Sequence, residues 1–158
     1  MRASDPRVVP FIVIGAVLQA VRATTVITLS LFLQDTLALD SAATVRLAGV
    51  GFVVLASAQL VVQLLVVQRL RPTSRLMLQI GVPLMLLAFV VLTLGRGFPV
   101  VLLAMVSLGL GIGLVRPGSA AGASISVEAE EQGGVAGLLG GITVIGNGFG
   151  PRVGTRLY

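Results

Sequence analysis

Residues 133–158 read GGVAGLLGGITVIGNGFGPRVGTRLY, and this stretch decides what kind of chain the rest must be. It is long and apolar enough to cross a bilayer, yet it is rich in glycine and carries Gly150-Pro151 near its end. In a soluble helix each glycine would cost about 1 kcal/mol and the proline about 3 kcal/mol. Inside a membrane the same residues are tolerated. Small side chains let neighbouring helices approach, and those neighbours satisfy the freed backbone groups. At about 100° per residue, Gly133, Gly137, Gly140, Gly141 and Gly148 share one face of such a helix. Thr143, Gly146, Asn147, Gly150 and Gly154 share another, which also carries polar atoms. Two small-residue faces imply a helix gripped on two sides, as in a packed transport bundle, and not a lone anchor.

The remainder of the chain has the same character. Of its 158 residues, 56% are hydrophobic and 11% charged, which is not the balance of a soluble domain. The charges punctuate the sequence instead of spreading through it. Between Arg46 and Arg69, Arg75 and Arg96, and Glu131 and Arg152 there is no charge at all. Each of these runs is close to the ~20 residues that a ~30 Å hydrocarbon core requires. The pattern predicts an all-α, polytopic membrane bundle forming a single domain over residues 1–158. Its five transmembrane helices are expected at about residues 8–33, 47–67, 76–94, 100–126 and 133–154.

Every basic residue is an arginine, and the net charge is +5. The arginines flank apolar spans, where long cationic side chains reach for the membrane border. Membrane lipids are therefore the first partners expected, and nucleic acid is not one. Cysteine and histidine are both absent. That excludes a disulfide framework, a thiolate or imidazole metal site and a histidine-assisted nucleophile. Neither an enzyme nor a bound metal or cofactor is expected.

Taken in order, the first segment opens like a signal peptide, with Arg2, an apolar run and a possible cut near Val21-Arg22-Ala23. The apolar run continues to Leu33 with no mature polar domain after it, which favours a retained helix. Arg22 falls near the middle of that helix, with Gln19 and Gly15 on its face. An arginine there costs several kcal/mol against lipid, so a wet cavity or a partner is expected to receive it; a structural arginine bonded to carbonyls is the other reading. The connection QDTLALDSAATVR, residues 34–46, offers Asp40 or Ser41 as an N-cap for the second helix. On that helix Gln59 and Gln63 share a face, suited to a polar path or to hydrogen bonds across helices.

The turn QRLRPTSR, residues 68–75, carries Arg69, Arg71 and Arg75 and is cytoplasmic by the positive-inside rule. The third helix is apolar all round at its centre, as suits a lipid-facing element. The fourth runs into Arg116-Pro117, where a kink is expected. Its Gly109, Gly113, Gly118 and Gly122 permit close packing. The acidic turn VEAEEQ, residues 127–132, falls on the side of the basic turn and could pair with it, although surface pairs of that kind are individually worth little.

The glycine-proline stretch also carries a family likeness. Gly137 is followed after eight residues by Gly146, after three more by Gly150-Pro151, and then by Gly154-Thr155. This resembles the antiporter motif of the major facilitator superfamily, which marks the fifth helix of drug/proton exporters and recurs in degenerate form in the eleventh. The segment FLQDTLALD, residues 32–40, resembles that family's seventh-helix exit. Residues 111–141, GIGLVRPGSAAGASISVEAEEQGGVAGLLGG, resemble its tenth helix, cytoplasmic turn and eleventh helix. A first-half assignment fits less well, because proline follows Arg116 and the basic turn lacks an aspartate.

The resemblance implies helices seven to eleven of a transporter, hence a piece of a larger protein lacking the N-terminal half and the last helix. It implies a plasma membrane, in bacteria the inner one, and proton-coupled efflux of a drug or metabolite by alternating access. The small-molecule substrate would meet a cavity lined by Gln19, Arg22, Gln59, Gln63 and Asn147. The Thr143, Gly146, Asn147 and Gly150 face would meet the other half, while Gly137 and Gly141 would pack on a neighbour in this one. No Asp or Glu is expected inside a span, so the proton-carrying carboxylate would belong to the missing half. The competing expectation is a membrane scaffold or partner subunit that does not transport.

Overall fold

Apolar runs of this length can satisfy their backbone in hydrocarbon only by closing it on itself as helix or barrel. The computed structural model describes residues 9–37, 40–128, 131, 133–134, 137 and 140–141, and among them there is helix and no strand. Helix α1 is Val9–Leu37. Helix α2 runs over Ser41–Leu70, α3 over Ser74–Leu94 and α4 over Phe98–Ile125. All four are long and apolar enough to cross a membrane, as expected of a multi-pass membrane protein. The expected fifth span, 133–154, lies almost wholly outside the described residues; of it only Gly133, Gly134, Gly137, Gly140 and Gly141 are described, each helical.

Helix α2 is longer than the apolar pattern alone implies, and its N-cap explains the difference. Helix α2 begins at Ser41 and not at residue 47. Extended Asp40 (φ −68°, ψ 164°) takes the Ala43 N–H on its side chain at 3.0 Å. Its carbonyl accepts both the Thr44 N–H, at 3.0 Å, and the Thr44 hydroxyl, at 2.9 Å. A helix starts where its orphan N–H groups find acceptors, which puts Arg46 inside α2 and not before it. Removing the cap with Asp40→Ala should cost about 1 kcal/mol, read as a lowered midpoint in detergent unfolding. Helix α1 likewise continues past Leu33 to Leu37, drawing Asp35 into its last turn.

The turn between α2 and α3 is three residues long. Arg71 ends α2 in the left-handed region (φ 43°, ψ 52°), Pro72 follows, and Thr73 caps α3 by accepting the Leu76 N–H at 3.4 Å. Between α3 and α4, Gly97 holds φ 96°, a value that only glycine adopts without strain.

Two prolines sit inside helices, Pro83 in α3 and Pro117 in α4. Helix α4 runs through Pro117 to Ile125, close to the end expected at residue 126. Each ring removes one donor, so the carbonyls of Gln79 and Gly113 lose their usual partners, a loss that membrane helices accommodate.

The chain divides into two compact units, one formed by the residues up to Ile27 and from Arg116 onward, the other by Thr28–Val115. In the first, Phe11 and Ile12 of α1 pack on Ala123 and Val127. In the second, glycines govern the packing. A β-carbon on Gly109 would run into the Leu55 carbonyl of α2, and one on Gly113 into Val62 and the Gln59 backbone. On the other side of α4, a β-carbon on Gly111 would lie 2.5 Å from Met85 Cγ and 2.8 Å from the Gly81 carbonyl. Gly81 of α3 is equally tight, 2.6 Å from Val115 Cγ2 and 3.0 Å from the Gly111 carbonyl. Helix α4 is thus the one gripped on two sides. Of its most apolar stretch 61% is buried, against 17–22% for the other three spans.

Gly137 and Gly141, expected to pack on a neighbour, are exposed, and among the described residues a β-carbon on either would meet nothing within 4 Å. Most of the span that carries them lies outside the described residues. Helix α3 has one contact stripe, Met77, Gly81, Met85 and Ala88, and exposes Leu86, Leu87, Val90 and Leu94, as a lipid-facing helix should.

Candidate functional site

Every polar side chain on a spanning helix needs a partner or water, so those that find partners locally can be set aside first. Thr25 bonds the Val21 carbonyl at 2.8 Å, Ser119 that of Arg116 at 3.0 Å and Ser126 that of Gly122 at 2.7 Å. These are hydroxyls returned to the preceding turn of their own helix. The Ser107 hydroxyl crosses between helices: it donates from α4 to the Leu84 carbonyl of α3 at 2.8 Å. No buried side-chain nitrogen or oxygen among the described residues lacks a partner. Ser107→Ala should therefore cost only about 0.6 kcal/mol, the usual worth of an interhelical bond in a membrane, measurable against wild type in the same unfolding assay.

What remains is the amide and guanidinium chemistry expected to line a cavity. Gln19 and Arg22 lie one turn apart on α1, Gln19 half-buried and Arg22 exposed. Arg22 is 13 residues past Val9, about 20 Å along the helix, which puts it halfway along the apolar span Val9–Gln34. Gln59 and Gln63, one turn apart on α2, are both half-buried. The Gln59 backbone is the surface against which Gly113 packs. The glutamine pair belongs to the unit Thr28–Val115, and the Gln19–Arg22 pair to the other unit.

Gln63 has a second property. It opens a π-helical turn, Gln63–Val67, in which its carbonyl takes the Gln68 N–H, while its own N–H is shared by the Gln59 and Leu60 carbonyls. A π-turn inserts one extra residue, so everything after it is rotated by about 100° from the α-helical register. Such turns concentrate at functional sites. Neither this turn nor the backbone contacts of Gly81 and Gly111 leaves a mark that sequence reading can recognise. An apolar run such as LLVV is equally compatible with either helix type.

The basic turn is present, with Arg69, Arg71 and Arg75 all exposed. Of the antiporter-like motif, Gly137 is described and exposed. Gly146, Asn147, Gly150, Pro151, Gly154 and Thr155 lie outside the described residues. Among the described residues no group of three or more His, Cys, Asp or Glu is placed to hold a metal ion. No family model, curated protein or solved structure matches the chain.

Proposed function

We propose that this chain is one wall of a secondary transporter, similar to helices seven to eleven of a major facilitator antiporter, and that it exports a drug or metabolite against a proton gradient. The observation that carries the reading is α4. It is a glycine-rich helix held at backbone contact by α2 and α3, preceding in sequence a stretch with the antiporter-like glycine-proline spacing. Close-packed small-residue seams suit helices that must move as one rigid wall. On this reading Arg22, Gln19, Gln59, Gln63 and Asn147 supply the polar groups of the cavity, and a complementary half supplies the proton carrier.

One fact favours the second reading, a scaffold or partner subunit that moves no solute. Between Val9 and Gln34, and throughout α2, α3 and α4, there is no Asp or Glu, so these spans offer no carboxylate to carry a proton. The experiment joins the chain to the coding sequence upstream of it and reconstitutes the product in vesicles under an imposed proton gradient. Gradient-driven movement of a lipophilic cationic dye, lost in Arg22→Leu, is the expected result. A product that inserts intact and moves no dye would replace the transport reading with the scaffold.

A further inference from the structure

The end of the bundle where α2 passes into α3 has a chemistry of its own. Arg69, Arg71 and Arg75 are all exposed there, and the six-residue step from the first to the last holds them within at most about 20 Å of one another. No acidic residue occurs between Asp40 and Glu128. Asp40 itself sits at the far end of α2, 30 residues and about 45 Å away. Neither helix therefore supplies a charged counter-group at this end. The negative end of the α2 dipole and the positive end of the α3 dipole meet at this turn and offset each other, so the arginines set its charge.

Along each helix away from the arginines, apolar side chains are exposed. Leu64 and Leu65 on α2, and Leu76 and Ile80 on α3, are exposed, and Leu70, between two of the arginines, is 73% exposed. A cationic collar above exposed leucines matches an amphiphile with an anionic head and hydrocarbon tails. A soluble anion would use the collar alone.

The turn also keeps arginine where folding alone would prefer another residue. Arg71 is the one non-glycine residue with positive φ among those described. The left-handed region costs an L-residue roughly 1–2 kcal/mol, and the following Pro72 narrows the choice further. Glycine is the usual occupant of such a helix end. Backbone strain held in this way is a pointer to function.

We propose that Arg69, Arg71 and Arg75 form a binding site for the phosphate of an anionic phospholipid, whose acyl chains lie along the exposed leucines of α2 and α3. The test places the whole chain in nanodiscs of phosphatidylcholine doped with phosphatidylglycerol and measures which lipid stays bound, by native mass spectrometry. Phosphatidylglycerol should be retained preferentially. Each arginine-to-glutamine change should weaken retention roughly fivefold, and the triple variant roughly a hundredfold. Arg46→Gln and Arg96→Gln, which lie outside the turn, should leave it unchanged.

Arg71→Gly separates this role from simple helix capping. It should raise the unfolding midpoint in pure phosphatidylcholine, because strain is relieved, while lowering phosphatidylglycerol retention. If the triple variant loses stability in phosphatidylcholine but keeps the wild-type lipid preference, the arginines only cap helices and the site does not exist. Displacement of the lipid by excess inorganic phosphate would also overturn it, because the site would then recognise a free anion.

Discussion

Adding one methyl group at Gly109 is expected to destabilise the packed helices, whereas the same change at Gly49 should leave them as stable or slightly more so. Both glycines lie inside helices, so both gain up to about 1 kcal/mol of helix propensity on becoming alanine. What differs is the space around them. A β-carbon on Gly49 meets nothing within 4 Å, while one on Gly109 meets the Leu55 carbonyl and stands 2.9 Å from the Ala58 β-carbon. The Leu55 carbonyl is backbone and cannot swing aside as a side chain can. Helices α2 and α4 must therefore separate, at an overpacking cost of about 1–3 kcal/mol for alanine and more for leucine. Gly113→Ala should behave like Gly109→Ala, because it too meets backbone, at Gln59. Adding Ala58→Gly to Gly109→Ala should restore only part of the loss, since it removes the methyl contact and leaves the carbonyl in place. Steric-trap or detergent unfolding of the five variants provides the measurement. Equal effects at Gly49 and Gly109 would mean that α2 and α4 do not meet at this seam.

That seam also shows what the sequence disclosed and what it withheld. The spans were readable because arginines and acids interrupt the apolar runs at membrane intervals, a signal that does not depend on tertiary contacts. The cap at Asp40 was readable too, yet the start of α2 drawn from hydrophobicity fell six residues late. Polar first turns such as Ser41 to Arg46 are helical for reasons of capping and not of burial. Glycine content pointed to close approach in two places, residues 133–154 and α4. In α4 the described structure realises it, while most of residues 133–154 lies outside the described residues. A glycine states that a neighbour is allowed near, but which neighbour comes is settled by the side chains opposite, here Ala58, Val62 and Met85. The π-turn at Gln63 and the left-handed Arg71 left no trace in the pattern, because both are backbone solutions to geometry imposed from elsewhere. For the candidate site, residue types were legible and their depth along each helix followed from counting. Their grouping did not follow, since it depends on how helices rotate against each other.

Depth alone is enough to predict the behaviour of Arg22. Replacing it by leucine should favour insertion of the first span by roughly 3–4 kcal/mol, the interval between the two residues at the centre of a spanning helix on an insertion scale. By that measure the inserted fraction should rise more than a hundredfold relative to the uninserted one. The guanidinium lies about 18–20 Å from either end of the span by residue count, too deep for its side chain to reach water at the border by snorkelling. It is exposed on the chain's own surface, so in lipid it would bear most of this cost. A chain selected only for insertion would not carry such a residue. Glycosylation mapping of residues 9–37 with Arg, Gln and Leu at position 22 measures the first half of the argument. Unchanged insertion across the three would show that Arg22 reaches an interface and costs nothing. The second half needs the joined transporter described above, with membrane abundance and dye movement followed together. Transport lost at normal or raised abundance would mean that the energy given up at insertion is recovered in a water-filled cavity or against a partner. Transport retained in Arg22→Leu would leave the residue a structural role alone, and the cavity would have to be built from Gln59 and Gln63.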